Sequence, residues 1–124
     1  MASPLFLLAC STAHLVAPPE IPRPRPVKGP SPAIREAVLR AYMEEEAGSW
    51  EAVDAEFSKG SAAASCDPWL EKAWGSSAWR MGETEEAVKH WDQAILCFGL
   101  EEDGERAEIA RLIRAAKKRG EEGP

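Results

Sequence analysis

Seven of the ten prolines stand between Pro18 and Pro32. Proline removes a backbone donor, fixes φ, and pushes the residue before it toward extended geometry. The stretch APPEIPRPRPVKGPSP therefore cannot form a packed core, which must be built from the residues that follow. Its favoured state is polyproline II, at about 3.1 Å per residue. From Cys10 to Pro32 that spans roughly 70 Å at most. Residues 10–32 read as a tether. The functional alternative is a ligand for an SH3-like or WW-like groove, because Pro22, Pro24 and Pro26 alternate with arginine.

From Ser31 the apolar residues recur with a period of 3.6. Ser31-Pro32 is a helix start, an N-cap followed by a residue whose missing N–H costs nothing there. Ile34, Val38, Ala41 and Tyr42 then share a face, and Gly48 ends the helix. Ser49 can cap a second helix carrying Trp50, Val53 and Phe57, which Gly60 and the SAAAS run end or loosen. Asp67-Pro68 repeats the start signal. Leu70, Trp74, Ala78 and Met81 follow as an apolar stripe before Gly82. Thr84 can cap a fourth helix, with Ala87, Trp91, Ala94, Ile95 and Phe98 on one side and Gly99 as its stop. A fifth is expected from about Asp103 to Arg119, closed by Gly120, with acids early and bases late as the macrodipole favours. No strand is expected. The fold class is all-α, built of antiparallel helical hairpins.

Charge is divided along the chain. Residues 1–30 hold Arg23, Arg25 and Lys28 against Glu20, a net of +2, and the other 94 residues hold 12 bases and 20 acids, a net of −8. The acidic balance argues against a nucleic-acid partner, which needs a basic surface. No apolar run approaches the roughly 20 residues of a membrane-spanning helix.

The apolar block PLFLLA is followed by Cys10 and Ser11. Leu7-Leu8-Ala9-Cys10 resembles the lipobox of bacterial lipoproteins, in which a diacylglycerol joins the cysteine sulfur and the peptide is cut before it. The resemblance implies residues 1–9 as a signal-peptide remnant and Cys10 as the lipidation site. Attachment would rest on acyl chains, each buried CH₂ contributing about 0.8 kcal/mol. Ser11 in place of the aspartate that signals inner-membrane retention implies the periplasmic face of the outer membrane. The block is short and lacks a preceding Lys or Arg, so Met1 can also be an internal start.

A shift of 34 residues superposes Gly48 on Gly82, Val53 on Ala87, Phe57 on Trp91, Gly60 on Ala94 and Ala41 on Gly75. Residues 68–99, with Trp74-Gly75, Ala78, Gly82, Ala87, Trp91 and Ala94, resemble a tetratricopeptide repeat. The earlier copy, about 34–66, is degenerate. The resemblance implies two such repeats and a capping helix over 33–120. In that family small residues let paired helices approach closely, and one stripe of each first helix lines a concave groove for extended peptides or helices. Carried onto this chain, that stripe is Trp69, Lys72, Ser76, Trp79 and Arg80, extended by Tyr42, Val38 and Arg35. Spacings of three and four put Trp69, Lys72, Ser76 and Trp79 or Arg80 on one helix face. Two indoles beside a lysine and an arginine can hold an apolar side chain and pair a carboxylate.

No catalytic set accompanies this pattern. His14 falls in the tether, and His90 is expected on the solvated side. Cys66 and Cys97 lack paired ligands at zinc spacing, and neither Glu44-Glu45-Glu46 nor Glu101-Glu102-Asp103 fits a calcium loop. Setting Cys10 aside, two cysteines remain. Antiparallel helices can bring Cys66 and Cys97 together as a bridge closing about 30 residues, worth roughly 3–4 kcal/mol in the chain-entropy model. Two separate thiols are the alternative. The expected function is a lipid-anchored protein–protein interaction module of the bacterial envelope, a scaffold or assembly accessory with no enzyme activity and no cofactor. A soluble cytoplasmic helical-repeat adaptor with a mis-set start is the competing reading.

Overall fold

The computed structural model of the 124-residue chain describes residues 20–24, 31–63 and 66–121. The apolar block, Cys10 and His14 lie outside the described residues. Those described form α1 (Pro32–Ala47), α2 (Trp50–Ala63), α3 (Pro68–Arg80), α4 (Thr84–Cys97), a 3₁₀ turn (Leu100–Glu102) and α5 (Asp103–Glu121). No strand occurs among them. The fold is all-α. Two helical hairpins, α1–α2 and α3–α4, are followed by a last helix packed on α4.

The helix starts follow from local chemistry. Ser31 Oγ accepts the N–H of Ile34 at 3.5 Å, and Asp67 Oδ1 accepts that of Leu70 at 2.9 Å. Ser49 Oγ takes the N–H of Ala52 at 3.2 Å. Each cap satisfies a donor that the helix itself cannot. Inside both hairpins the reversal uses a glycine in the left-handed region, Gly48 at φ 85° and Gly82 at φ 81°. They stand 34 residues apart. Thr84 begins α4 rather than capping it; Glu83 holds the cap position without a side-chain hydrogen bond.

Two expected breaks are absent. Gly60 lies inside α2, and Gly120 inside α5. A β-carbon on Gly60 would stand 3.0 Å from Ala37 Cβ and 3.2 Å from Leu70 Cδ1. Its helical role is close approach to α1 and α3, which outweighs its cost of about 1 kcal/mol in a helix interior.

The core has two lobes. The first joins Ile34, Ala37, Val38, Ala41 and Tyr42 of α1 to Val53 and Phe57 of α2 and to Leu70 and Trp74 of α3. The second joins Ala78 and Trp79 of α3 to Ala87, Trp91, Ala94 and Phe98, then to Ile109, Ile113 and Ala116 of α5. Helix α3 serves both, packing on α1, α2 and α4. A row of rings crosses between the hairpins. Phe57 stacks on Trp74 at 5.6 Å, and Trp74 stacks on His90 at 3.8 Å. Cys66 and Cys97 form a disulfide, with Cα atoms 5.3 Å apart, closing the far end of the second hairpin.

Candidate partner groove

Helices α1, α3 and α5 turn one side each toward a cavity of about 430 Å³. Val38 and Tyr42 line it from α1. Trp69, Lys72, Ala73 and Ser76 line it from α3. Glu108, Arg111 and Leu112 line it from α5, and Glu20, Ile21, Pro22 and Pro24 close one side. The cavity lies between the first helix of each hairpin and α5.

The expected site residues divide. Trp69, Lys72, Ser76, Tyr42 and Val38 meet at the cavity. Trp69 is half-buried, edge-on to Phe98 at 5.1 Å, with Lys72 Nζ 5.8 Å from its ring centroid. Ser76 is buried, and its hydroxyl accepts the Trp91 indole N–H at 3.4 Å. Lys72 is engaged within the molecule, its ammonium donating to Glu105 Oε2 at 2.7 Å. Val38 and Tyr42 belong to the first core lobe while lining the groove.

Trp79, Arg80 and Arg35 do not line the cavity. Trp79 is 8% exposed, its ring 6.1 Å from that of Trp91 in the second lobe. The reason is the position of α3. A helix packed on three others has no single buried stripe, and Trp74 through Trp79 are all buried. Arg80 stands behind the groove. Its Nε donates to Glu45 Oε2 at 2.7 Å and its Nη2 to Glu45 Oε1 at 3.0 Å, a forked pair held further by Ser77 Oγ. Arg35 is half-buried on the first turns of α1. His90 departs from its expected place on the solvated side: it is 5% exposed, and Nδ1 donates to Glu71 Oε2 at 2.8 Å. Its Nε2 lies 3.4 Å from Glu86 Oε2 but makes no hydrogen bond.

Residues 20–24 are the feature that periodicity does not reveal. They have no regular secondary structure, and Ile21 packs against the second lobe. The Ile21 carbonyl accepts from Arg80 Nη1 at 3.0 Å. Arg23 Nη1 donates to the Tyr42 carbonyl at 3.4 Å and stands 3.2 Å from Glu46 Oε1. Both guanidinium groups lie near the Tyr42 ring, Arg80 at 5.5 Å and Arg23 at 5.9 Å from its centroid. Burial pushes the Tyr42 phenol above its usual 10.0, opposed by the positive charge of Arg80 and Arg23. Over residues 20–24, then, the expected tether is a docked segment. The charge division was its one sequence signal: a basic N-terminal stretch beside an acidic body.

Among the described residues, no three His, Cys, Asp or Glu side chains gather as a metal site. No helix among them is long and apolar enough to cross a membrane. No family model, curated protein or solved structure matches the chain.

Proposed function

We propose that this chain is a protein–protein interaction module whose groove, formed by α1, α3 and α5, takes an extended peptide, acting by binding rather than catalysis. The observation that carries the reading is the segment that closes one side of the groove: five residues without helix or strand, held against the helices through a backbone carbonyl, an apolar side chain and an arginine. A surface that recognises main chain and alternating side chains in this way is suited to peptides. The 34-residue spacing of Gly48 and Gly82 and the groove on the first helices are what a tetratricopeptide-like array would present.

The module is proposed to be anchored by a lipid on Cys10 at the periplasmic face of the outer membrane, as a scaffold or assembly accessory. The Cys66–Cys97 bridge supports an oxidising compartment. Peptides selected from a displayed random library on the full chain should perturb amide resonances of Val38, Trp69, Ala73 and Ser76. Trp69→Ala should weaken them at least about tenfold, as loss of an interface anchor does, with the melting curve retained. Perturbations confined to other faces, or no selected peptide, would remove the groove reading. Intact mass of the membrane fraction decides the anchor: the mature chain should begin at a diacylated Cys10, and Cys10→Ala should leave the membrane.

A further inference from the structure

One side of the groove is already taken by residues 20–24, and their contacts define what that side prefers. Pro22 and Pro24 fix φ at their own positions and bias Ile21 and Arg23 toward extended backbone. The apolar Ile21 meets the second core lobe, and Arg23, two residues on, reaches the C-terminal part of α1. Arg80 does not choose between side chains. It is fixed by its fork on Glu45 and spends a remaining donor on the Ile21 carbonyl. Arg23 meets a carbonyl and the Glu46 carboxylate, an acceptor-only pair that favours a cation over any neutral residue.

We propose that residues 20–24 are a built-in competitor, and that the external partner carries an extended, proline-bounded basic segment of the same chemistry: an apolar residue, proline, arginine, proline. This rests on the groove reading above. The charge division supports it in sequence, because Arg23 belongs to an N-terminal stretch, residues 1–30, of net +2, while Glu46 belongs to a body of net −8. The connection supports it too. Only six residues separate Pro24 from Ser31, the cap of α1.

A segment on so short a link is present at an effective concentration on the order of millimolar. If its intrinsic dissociation constant is about 0.1 mM, the groove is open about one tenth of the time. A partner's apparent affinity is then reduced about tenfold, the fraction open being the factor. The cavity beside Pro22 and Pro24 leaves room for a partner segment longer than the internal one. The internal segment thus sets a threshold: weak or sparse peptides are refused, and a longer or locally concentrated partner displaces it.

The probe is a fluorescent peptide of sequence PEIPRPRP, titrated by anisotropy into the full chain and into the full chain carrying Ile21→Ser and Arg23→Ser. The opened chain should bind at least about tenfold more tightly, the factor expected from a mostly closed groove, with unchanged helical circular dichroism. In the opened chain Glu46→Lys, at a side chain 58% exposed, should weaken the peptide, and a peptide with glutamate at the first arginine should regain binding. Equal affinity for closed and opened chains would overturn the competitor while leaving the groove intact. Failure of the opened chain to bind this peptide, while library peptides still perturb Trp69 and Ala73, would overturn the partner chemistry alone.

Discussion

A methyl group added at Gly75 would fall 2.5 Å from Trp91 Cδ1, closer than any relaxed carbon contact. Trp91 is fully buried between α3, α4 and α5, so its ring has nowhere to move. Gly75→Ala should therefore cost about 1–3 kcal/mol, as overpacking does, read as a lower urea midpoint at constant slope. Tyr42 offers a second residue-scale test, because it is the single tyrosine. Burial raises its pKa above 10.0 in the folded chain. The folded state thus holds the phenol proton more tightly than the unfolded state. This contribution is fully present below about pH 10 and is lost as pH rises through the folded value, since ionisation favours unfolding. Phenolate absorbance should appear later than for free tyrosine and together with loss of helix, and Tyr42→Phe should remove that alkaline step. The residues that periodicity misplaced share a cause. Spacing tells which side chains lie on one face of a helix, not how many faces have neighbours. Trp79 follows the groove stripe in sequence, yet α3 packs on three helices and buries that side as well. His90 sits beside a tryptophan on a charged helix, and only the fold brings Trp74 over its ring and Glu71 to its Nδ1.

At the scale of elements, the chain states its helix starts openly and its ends less so. Ser31-Pro32 and Asp67-Pro68 are legible because a cap and a proline act within one turn. Gly48 and Gly82 are legible because a reversal needs positive φ, which glycine adopts without strain. Gly60 and Gly120 carry the same letter without the same role, and the distinction is tertiary: Gly60 meets Ala37 and Leu70. The second hairpin closes at its open end through Cys66–Cys97, across a sequence separation of 31. Cys66 takes φ 56°, a left-handed conformation rare outside glycine. In the chain-entropy model a loop of this length contributes about 3–4 kcal/mol. For a domain whose total stability is on the order of 5–15 kcal/mol, that is a large share. Cys66→Ser together with Cys97→Ser should lower the thermal midpoint by well over 10 °C, given about 4–8 °C per kcal/mol at this size. A reductant should do the same to the parent chain and nothing to the variant. An unchanged midpoint on reduction would mean that helix packing alone holds the hairpin.

Across the whole molecule, docking of residues 20–24 changes length as well as occupancy. With the lipid on Cys10 as proposed, only nine residues separate the anchor from Glu20, the first docked residue, about 30 Å at full extension. Released, the chain runs free to Pro32, about 70 Å at full extension. A partner that displaces the segment would therefore also let the helical body reach further from the bilayer, coupling recognition to distance. No new contact is needed, because the same residues serve as competitor and as shortened tether. Neither role is written in the proline content alone; both depend on where Arg80 and Glu46 stand in the folded body. The five tryptophans, all in the helical body, make this measurable. On vesicles carrying a dansyl lipid, the lipidated parent chain should show stronger tryptophan-to-dansyl transfer than the chain with Ile21→Ser and Arg23→Ser. Adding PEIPRPRP to the parent chain should lower its transfer toward that of the variant. Equal transfer in both chains would show that the segment leaves the body's distance from the membrane unchanged, and only the occupancy role would stand.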